Sequence, residues 1–233
     1  MNQVEKKSFF SERQWSIIAS IFLMATSAMG PGFLTQTATF TVKMGAAFGF
    51  GILLSILIDY VVQQNIWRVV TLTQKRAPDI ANMVLPGSGY VLAVFVIFGG
   101  FFFNIGNIAG AALGLNALFG LDTKWGGVIS GGLAILIFAS RKATLVVDKS
   151  MIFLGILKIV LIVIVAVMVA PPVADAFHQT ILPSHIDFAS ITTIVGGTVG
   201  GYICYAGAHR LLDKGAVGPE NIDEVARAAT KGI

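Results

Sequence analysis

Residues 16–44, SIIASIFLMATSAMGPGFLTQTATFTVKM, form a long apolar run interrupted midway by Gly30-Pro31-Gly32, and their reading decides the fold. A helix that crosses a bilayer needs roughly 20 mostly apolar residues, and this run exceeds that. The preceding MNQVEKKSFFSERQ, residues 1–14, is mixed-charge and amphipathic, and no small-residue cleavage site follows it. The run therefore reads as a first span and not as a removed signal peptide. Pro31 lacks an amide donor and clashes with the preceding turn, and the flanking glycines hold the backbone loosely. Beyond it Thr35, Gln36, Thr37, Thr39 and Thr41 place polar groups at membrane depth. A continuous apolar helix carries no such features, so the first span reads as broken.

Composition agrees with a lipid environment. Of the 233 residues 55% are hydrophobic and 12% charged, and the mean hydropathy is +0.82. A soluble domain carries about a quarter charged residues, because water must solvate its exterior. The 26 glycines suit close approach between membrane helices. Cys204 is the single cysteine, so the chain has no internal disulfide framework. The net charge of +4 is spread between spans and forms no basic face for nucleic acid.

Further apolar runs complete a set of about six spans, at 15–42, 46–72, 89–119, 125–140, 150–170 and 188–212. Period-two alternation is absent, so they read as helices, and the fold class is an all-α integral membrane protein. Lys and Arg decide orientation. Lys6, Lys7 and Arg13 precede the first span, and Arg68, Lys75 and Arg76 follow the second. Arg141, Lys142 and Lys149 lie between the fourth and fifth, and Arg210, Lys214, Arg227 and Lys231 follow the sixth. The opposite side has only Lys43 and Lys124. This asymmetry places both termini in the cytoplasm, in a multi-pass protein of the cell membrane. Trp15, Trp67 and Trp125 fall near span ends, where interfacial anchors belong.

The sixth run, ITTIVGGTVGGYICYAGAHRLL, is also interrupted, by Gly196-Gly197 and Gly200-Gly201. Irregular backbone at membrane depth is tolerated where it lines protein or a cavity. Two broken helices at corresponding places in two halves point to a transporter binding site. A proline kink and glycine packing are the plainer alternatives for each break taken singly.

Several stretches resemble one family. GAALGLNALFG (110–120) resembles the third-span signature of the NRAMP divalent-metal transporters. GPGFL (30–34), FGFGILLSILI (48–58), APDIANMV (77–84) and GGTVGGYICYAGAH (196–209) resemble, in order, their first span, second span, following segment and broken sixth span. The resemblance implies a LeuT-like fold of two inverted five-helix repeats. Residues 15–187 would then be the first repeat and 188–212 the broken sixth span, with 213–233 a cytoplasmic tail or the start of a second repeat. The chain would be the N-terminal portion of a larger transporter, completed by a C-terminal half or by a partner chain.

Aligned with the family's motifs, the chain departs from them at three places. Counting back from Phe48-Gly49, the family's Asp-Pro-Gly-Asn falls on Leu34, Thr35, Gln36 and Thr37. Its sixth-span Met-Pro-His-Asn falls near Gly200, Gly201, Tyr202 and Ile203, and its third-span acidic pair falls on Asn104 and Asn107. Divalent ions want charged or soft ligands, which hydroxyls and amides do not supply. The resemblance thus marks Gly32, Thr35, Gln36, Thr37, Gly200, Gly201 and Tyr202 as the substrate site, and leaves any metal ligand set unassigned.

Two charges lie inside spans. Asp59 sits near mid-bilayer in the second, where an ionised carboxylate costs at least ~3 kcal/mol on insertion scales. It reads either as an ion or proton group or as a buried acid bonded to Tyr60, Gln63 or a neighbouring helix. Lys158 lies about eight residues past the start of the fifth span, ~12 Å deep. Its stem either snorkels to the interface or, by analogy with LeuT-like carriers, sets its ammonium where others bind sodium. With Asn104 and Asn107 these form the candidate coupling path. Cys204 and His209 are about 140° apart on a continuous helix, which favours packing for Cys204 and a cytoplasmic-end polar contact for His209. His178 and His185 read as members of a solvated external loop, residues 171–187.

The chain holds no nucleophile–base constellation and no metal triad, so neither an enzyme nor a cofactor is expected. Family resemblance implies a proton-coupled divalent cation carrier, and the missing ligands favour a small polar or carboxylate-bearing solute. A non-transporting membrane subunit is the alternative from another class.

Overall fold

The computed structural model describes residues 12–139, 143–200 and 202–233. Gly201, Lys6, Lys7, Arg141, Lys142 and most of the N-terminal tail lie outside the described residues. Helices and turns make up the described residues, without a strand. The first span is two helices, α1 (Glu12–Ala28) and α2 (Pro31–Met44). A 3-10 turn at Gly45–Ala47 leads into α3 (Phe48–Thr73), whose end is a left-handed Gln74 that donates its N–H to the Val70 carbonyl. The short α4 (Ala77–Val84) leads into α5 (Ser88–Phe119), which stops at a left-handed Gly120. Then come α6 (Thr123–Ala139), α7 (Ala143–Val169) and α8 (Val173–Ile181). The last run is again split, into α9 (Phe188–Thr198) and α10 (Ile203–Asp213), and α11 (Ile222–Gly232) closes the chain.

Four segments are long and apolar enough to cross a bilayer: Pro31–Thr73, Ser88–Phe119, Ile152–Val169 and Phe188–Asp213. Two shorter apolar helices, Ile17–Ala28 and Thr123–Ile137, lie where the first and fourth spans are expected. The first is short because the span breaks there; its continuation is α2.

Packing is uneven. The tight core joins α1, α3, α10 and α11 through Met24, Trp67, Val70, Ala208, Leu211, Val225, Ala228 and Ala229. In α11 the buried positions Val225, Ala228, Ala229 and Gly232 recur at helical spacing, which makes one apolar stripe that covers α1 and α3. Gln64 of α3 pins this helix by donating to the Ala226 carbonyl at 2.8 Å and to Thr230 Oγ1 at 2.7 Å. By contrast α5, α6 and α7 leave most of their large apolar side chains exposed, as surfaces that lipid or further protein must cover.

Two sequence expectations change. Trp67 is fully buried and its indole N–H donates to Gln63 Oε1 at 2.7 Å, so it belongs to the core and is no interfacial anchor; Trp15 and Trp125 are exposed. The external loop around His178 folds into α8, which packs on the start of α3 and the turn before it. Thr180 of α8 sits against Gly49, where only hydrogen leaves room.

Candidate functional site

Breaking a helix strands the carbonyls of the turn before the gap and the amides of the turn after it. At the first break Met29 is a turn residue and Gly30 is extended, with φ −68° and ψ 174°. Side chains from two other helices meet the stranded groups. Lys158 Nζ of α7 donates to the Met29 carbonyl at 2.5 Å. On the other side of the gap the Gly32 N–H donates to Asn107 Oδ1 of α5 at 3.2 Å. The approach of α5 depends on Gly110, whose missing Cβ would lie 2.6 Å from the Pro31 carbonyl carbon. Lys158 therefore reaches inward and not to the interface. The helix α7 begins at Ala143, earlier than the expected span, so Lys158 is fifteen residues or ~22 Å along it.

The sixth-span break covers Val199 to Tyr202. The Cys204 thiol turns back and donates to the Val199 carbonyl, so this cysteine closes the broken turn from its own helix. Ser55 of α3 and Thr198, the last residue of α9, share a 2.6 Å hydrogen bond. Tyr202 heads α10 without a side-chain cap, meets Phe103 edge-on at 5.9 Å, and shares a hydrogen bond with Ser27. Ser27 is two residues before Met29, so the two breaks lie side by side. α1 and α10 pack along one another below them.

The remaining expected site residues divide. Thr35 donates back to the Gly32 carbonyl at 2.9 Å, inside regular helix α2 and past the break. Gln36 reaches across to α9, donating to the Thr193 carbonyl at 3.4 Å, and Thr37 Oγ1 is buried without a hydrogen-bond partner. Thus Gly32, Tyr202, Asn107 and Lys158 come together at the breaks, and Gln36 with Thr37 stands beyond them on α2. Asn104 is exposed on α5, and Asn107, placed in the proton path by analogy, serves as a backbone cap. Asp59 lies behind the sixth span, buried on α3 opposite Cys204.

The far ends of α2 and α9 are tied as well. Lys43 donates to Asp187 Oδ2, and Asp187 Oδ1 accepts from the Ala189 N–H at 3.1 Å and the Ser190 N–H at 3.4 Å as the N-cap of α9. The Lys43 and Ser190 bonds hold the Asp187 carboxyl down at about 2. At the opposite end His209 Nε2 accepts from the Ala77 N–H at 3.2 Å and caps α4, the polar contact expected of it.

Sequence reasoning missed the Met29 carbonyl, Ser27, and the Ser55–Thr198 pair. A backbone carbonyl carries no residue signal, and a serine inside an apolar run is ordinary. The one available hint was the polar stripe Ser20-Ser27 on α1, seven residues apart and so on one face.

Two curated relatives match nearly all of this chain. An uncharacterized membrane protein of Bacillus subtilis (strain 168), YcsG, is 50% identical over 234 residues, covering 100% of this chain and 58% of the relative. An uncharacterized membrane protein of Haemophilus influenzae is 51% identical over 223 residues, covering 96% of this chain and 56% of that one. The chain therefore spans little more than half the length of the curated relatives it matches. No solved structure matches it. Residues 21–229 match the natural resistance-associated macrophage protein-like family, and with nearly the whole chain inside that match, the chain belongs to this family.

Proposed function

We propose that the chain supplies the first repeat and the broken sixth span of a secondary transporter, which moves a small solute by alternating access around the paired breaks. The remaining spans would come from sequence following Ile233 or from a partner chain. The Lys and Arg asymmetry supports cytoplasmic termini and six crossings, with α1–α2 and α9–α10 each counted as one. The substrate would meet Tyr202, Gly200, Gly201, Gly32 and, toward the other face, Thr35, Gln36 and Thr37.

The observation that carries the reading is the Lys158 ammonium on the Met29 carbonyl. An ammonium at the break repels a divalent cation by ~7 kcal/mol at ~5 Å in an effective dielectric of about 20, and attracts a carboxylate. No group of three His, Cys, Asp or Glu side chains gathers among the described residues. Neutral amides and hydroxyls hydrogen-bond an organic carboxylate or amide well, but they do not offset dehydration of Mn²⁺ or Fe²⁺. The favoured substrate is thus a small polar solute bearing a carboxylate. Family membership favours a divalent cation instead, and one experiment separates the two. Proteoliposomes holding the full gene product that contains this chain are assayed for uptake of Mn²⁺ and of a panel of small amino acids and carboxylates. Saturable uptake of a carboxylate, lost in Lys158→Met, is expected. Saturable Mn²⁺ uptake with micromolar binding would restore the metal reading.

A further inference from the structure

We infer that Asp59 is a proton-binding carboxyl set behind the broken sixth span, and that its protonation holds α10 packed against α3. The inference rests on the transporter reading above and names its coupling ion.

Three contacts run in order along α3. Ser55 bonds Thr198 at the end of α9, Asp59 lies opposite Cys204 in the first turn of α10, and Trp67 fits over Gly207 further along it. Asp59 therefore sits at the level of the sixth-span break. It is only 8% exposed, and its Oδ1 is buried without a hydrogen-bond partner. No Lys or Arg among the described residues pairs with it. An unpaired carboxylate so placed is costly, and the usual remedy is to take up a proton or another cation.

The neighbouring amide decides between them. Gln63, one turn on and 0% exposed, has its Oε1 occupied by the Trp67 indole N–H at 2.7 Å. That bond fixes the amide, so the buried edge it turns toward Asp59 is the Nε2 donor. An N–H donor beside a carboxylate repels a metal ion. The Cys204 thiol is engaged with the Val199 carbonyl, and the Ser55 hydroxyl with Thr198. No group of three His, Cys, Asp or Glu side chains gathers among the described residues, so no charged or soft ligand set stands beside Asp59 for a metal, and the ligand is a proton. Other charged groups do not compete. α9 has no titratable side chain, and on α10 the Cys204 thiol lies close enough to feel the Asp59 charge. Lys43 on α2, Asp79 on α4, and Asp175 and His178 on α8 do not act on it appreciably. The same holds for Glu220 in the turn before α11 and for Asp223, Arg227 and Lys231 on α11, which meets α3 through Gln64.

The consequence is mechanical. With Asp59 protonated, α10 packs flat on α3 through Cys204, Gly207 and Leu211. Loss of the proton leaves a bare charge in that seam, and moving α10 away lets water reach it. Proton release thus favours opening of the sixth span's cytoplasmic half, and linkage requires that closure favour proton uptake.

Cys204 reports this directly. In the full gene product, with any other cysteines replaced, the rate of its alkylation by N-ethylmaleimide is measured from about pH 5 to about pH 8. The same rates in Asp59→Asn, which mimics the protonated form, remove the ordinary rise in thiolate with pH. The ratio of wild type to variant should start near unity at low pH and climb several-fold, and Asp59→Glu should keep the climb at a displaced midpoint. A ratio flat across the range in both wild type and Asp59→Glu overturns the inference, as does Asp59→Asn protein that still accumulates solute on an imposed pH gradient. The labelling needs no solute. A pH-dependent ratio without uptake of any tested compound would leave the proton site standing and remove the transporter reading alone.

Discussion

The Trp67 indole of α3 occupies the space where a side chain at Gly207 of α10 would begin, and both residues are buried. The contact belongs to the larger of the two core clusters among the described residues, with Leu211, Val70 and Ala208. Gly207→Val forces the ring or the helix to shift, and overpacking of this kind costs about 1–3 kcal/mol. Thermal unfolding of the detergent-solubilised protein should show a lowered midpoint, with Gly207→Ala less affected. An unchanged midpoint for the valine variant would show that the two helices part easily.

Asn107→Ala removes the acceptor for the Gly32 N–H at the first break. A stranded amide costs ~1 kcal/mol when its cap is lost. Asn107→Asp keeps an acceptor and should recover most of the stability. Were Asp as damaging as Ala, packing and not capping would be the role of this residue.

The Lys43–Asp187 tie gives a defined acid response. Asp187 is held below the usual carboxylate range, at about 2. A group lowered on folding contributes stability above its unfolded value of about 3.9, and that contribution is lost as pH falls toward the folded value. The tie should therefore be intact at neutral pH and fail between about pH 4 and about pH 2. Asp187→Asn, which also weakens the cap of α9, should remove the acid-dependent step of unfolding in that window. A step that persists unaltered belongs to another carboxylate.

Topology is tested with cysteines introduced singly at Asp175 and Lys231 in a Cys204→Ser background. An impermeant thiol reagent added to intact cells should label the first and spare the second. Labelling at 231 from outside would reverse the orientation drawn from the Lys and Arg count.

Mutating Lys158 to Met strands the Met29 carbonyl and removes the positive charge together. Lys158→Arg keeps charge and donors on a larger head, so it separates the two effects. Uptake of a carboxylate solute should vanish in the first and survive at reduced rate in the second. Equal loss in both would point to the fit of the ammonium rather than its charge.

Much of this architecture was legible in one sequence, because lipid reduces the choice of structure to helices whose length is fixed by bilayer thickness. The runs at 89–119 and 46–72 became α5 and α3 within two residues at each end. Gly30-Pro31 marked the first break correctly, since a missing amide and an unrestrained backbone act locally. The resemblance-based placement on Thr35 to Thr37 missed the gap, because counting from Phe48 assumes equal spacing, and those residues lie in regular helix. What holds the breaks was decided only by tertiary structure. That Lys158 turns inward, Asn107 caps a backbone amide, Cys204 closes its own broken turn and Trp67 is buried against Gly207 depends on which helix faces which. Hydrophobic periodicity is weak where every face is apolar, so the sequence determined where helices begin and end, and only packing chose their partners.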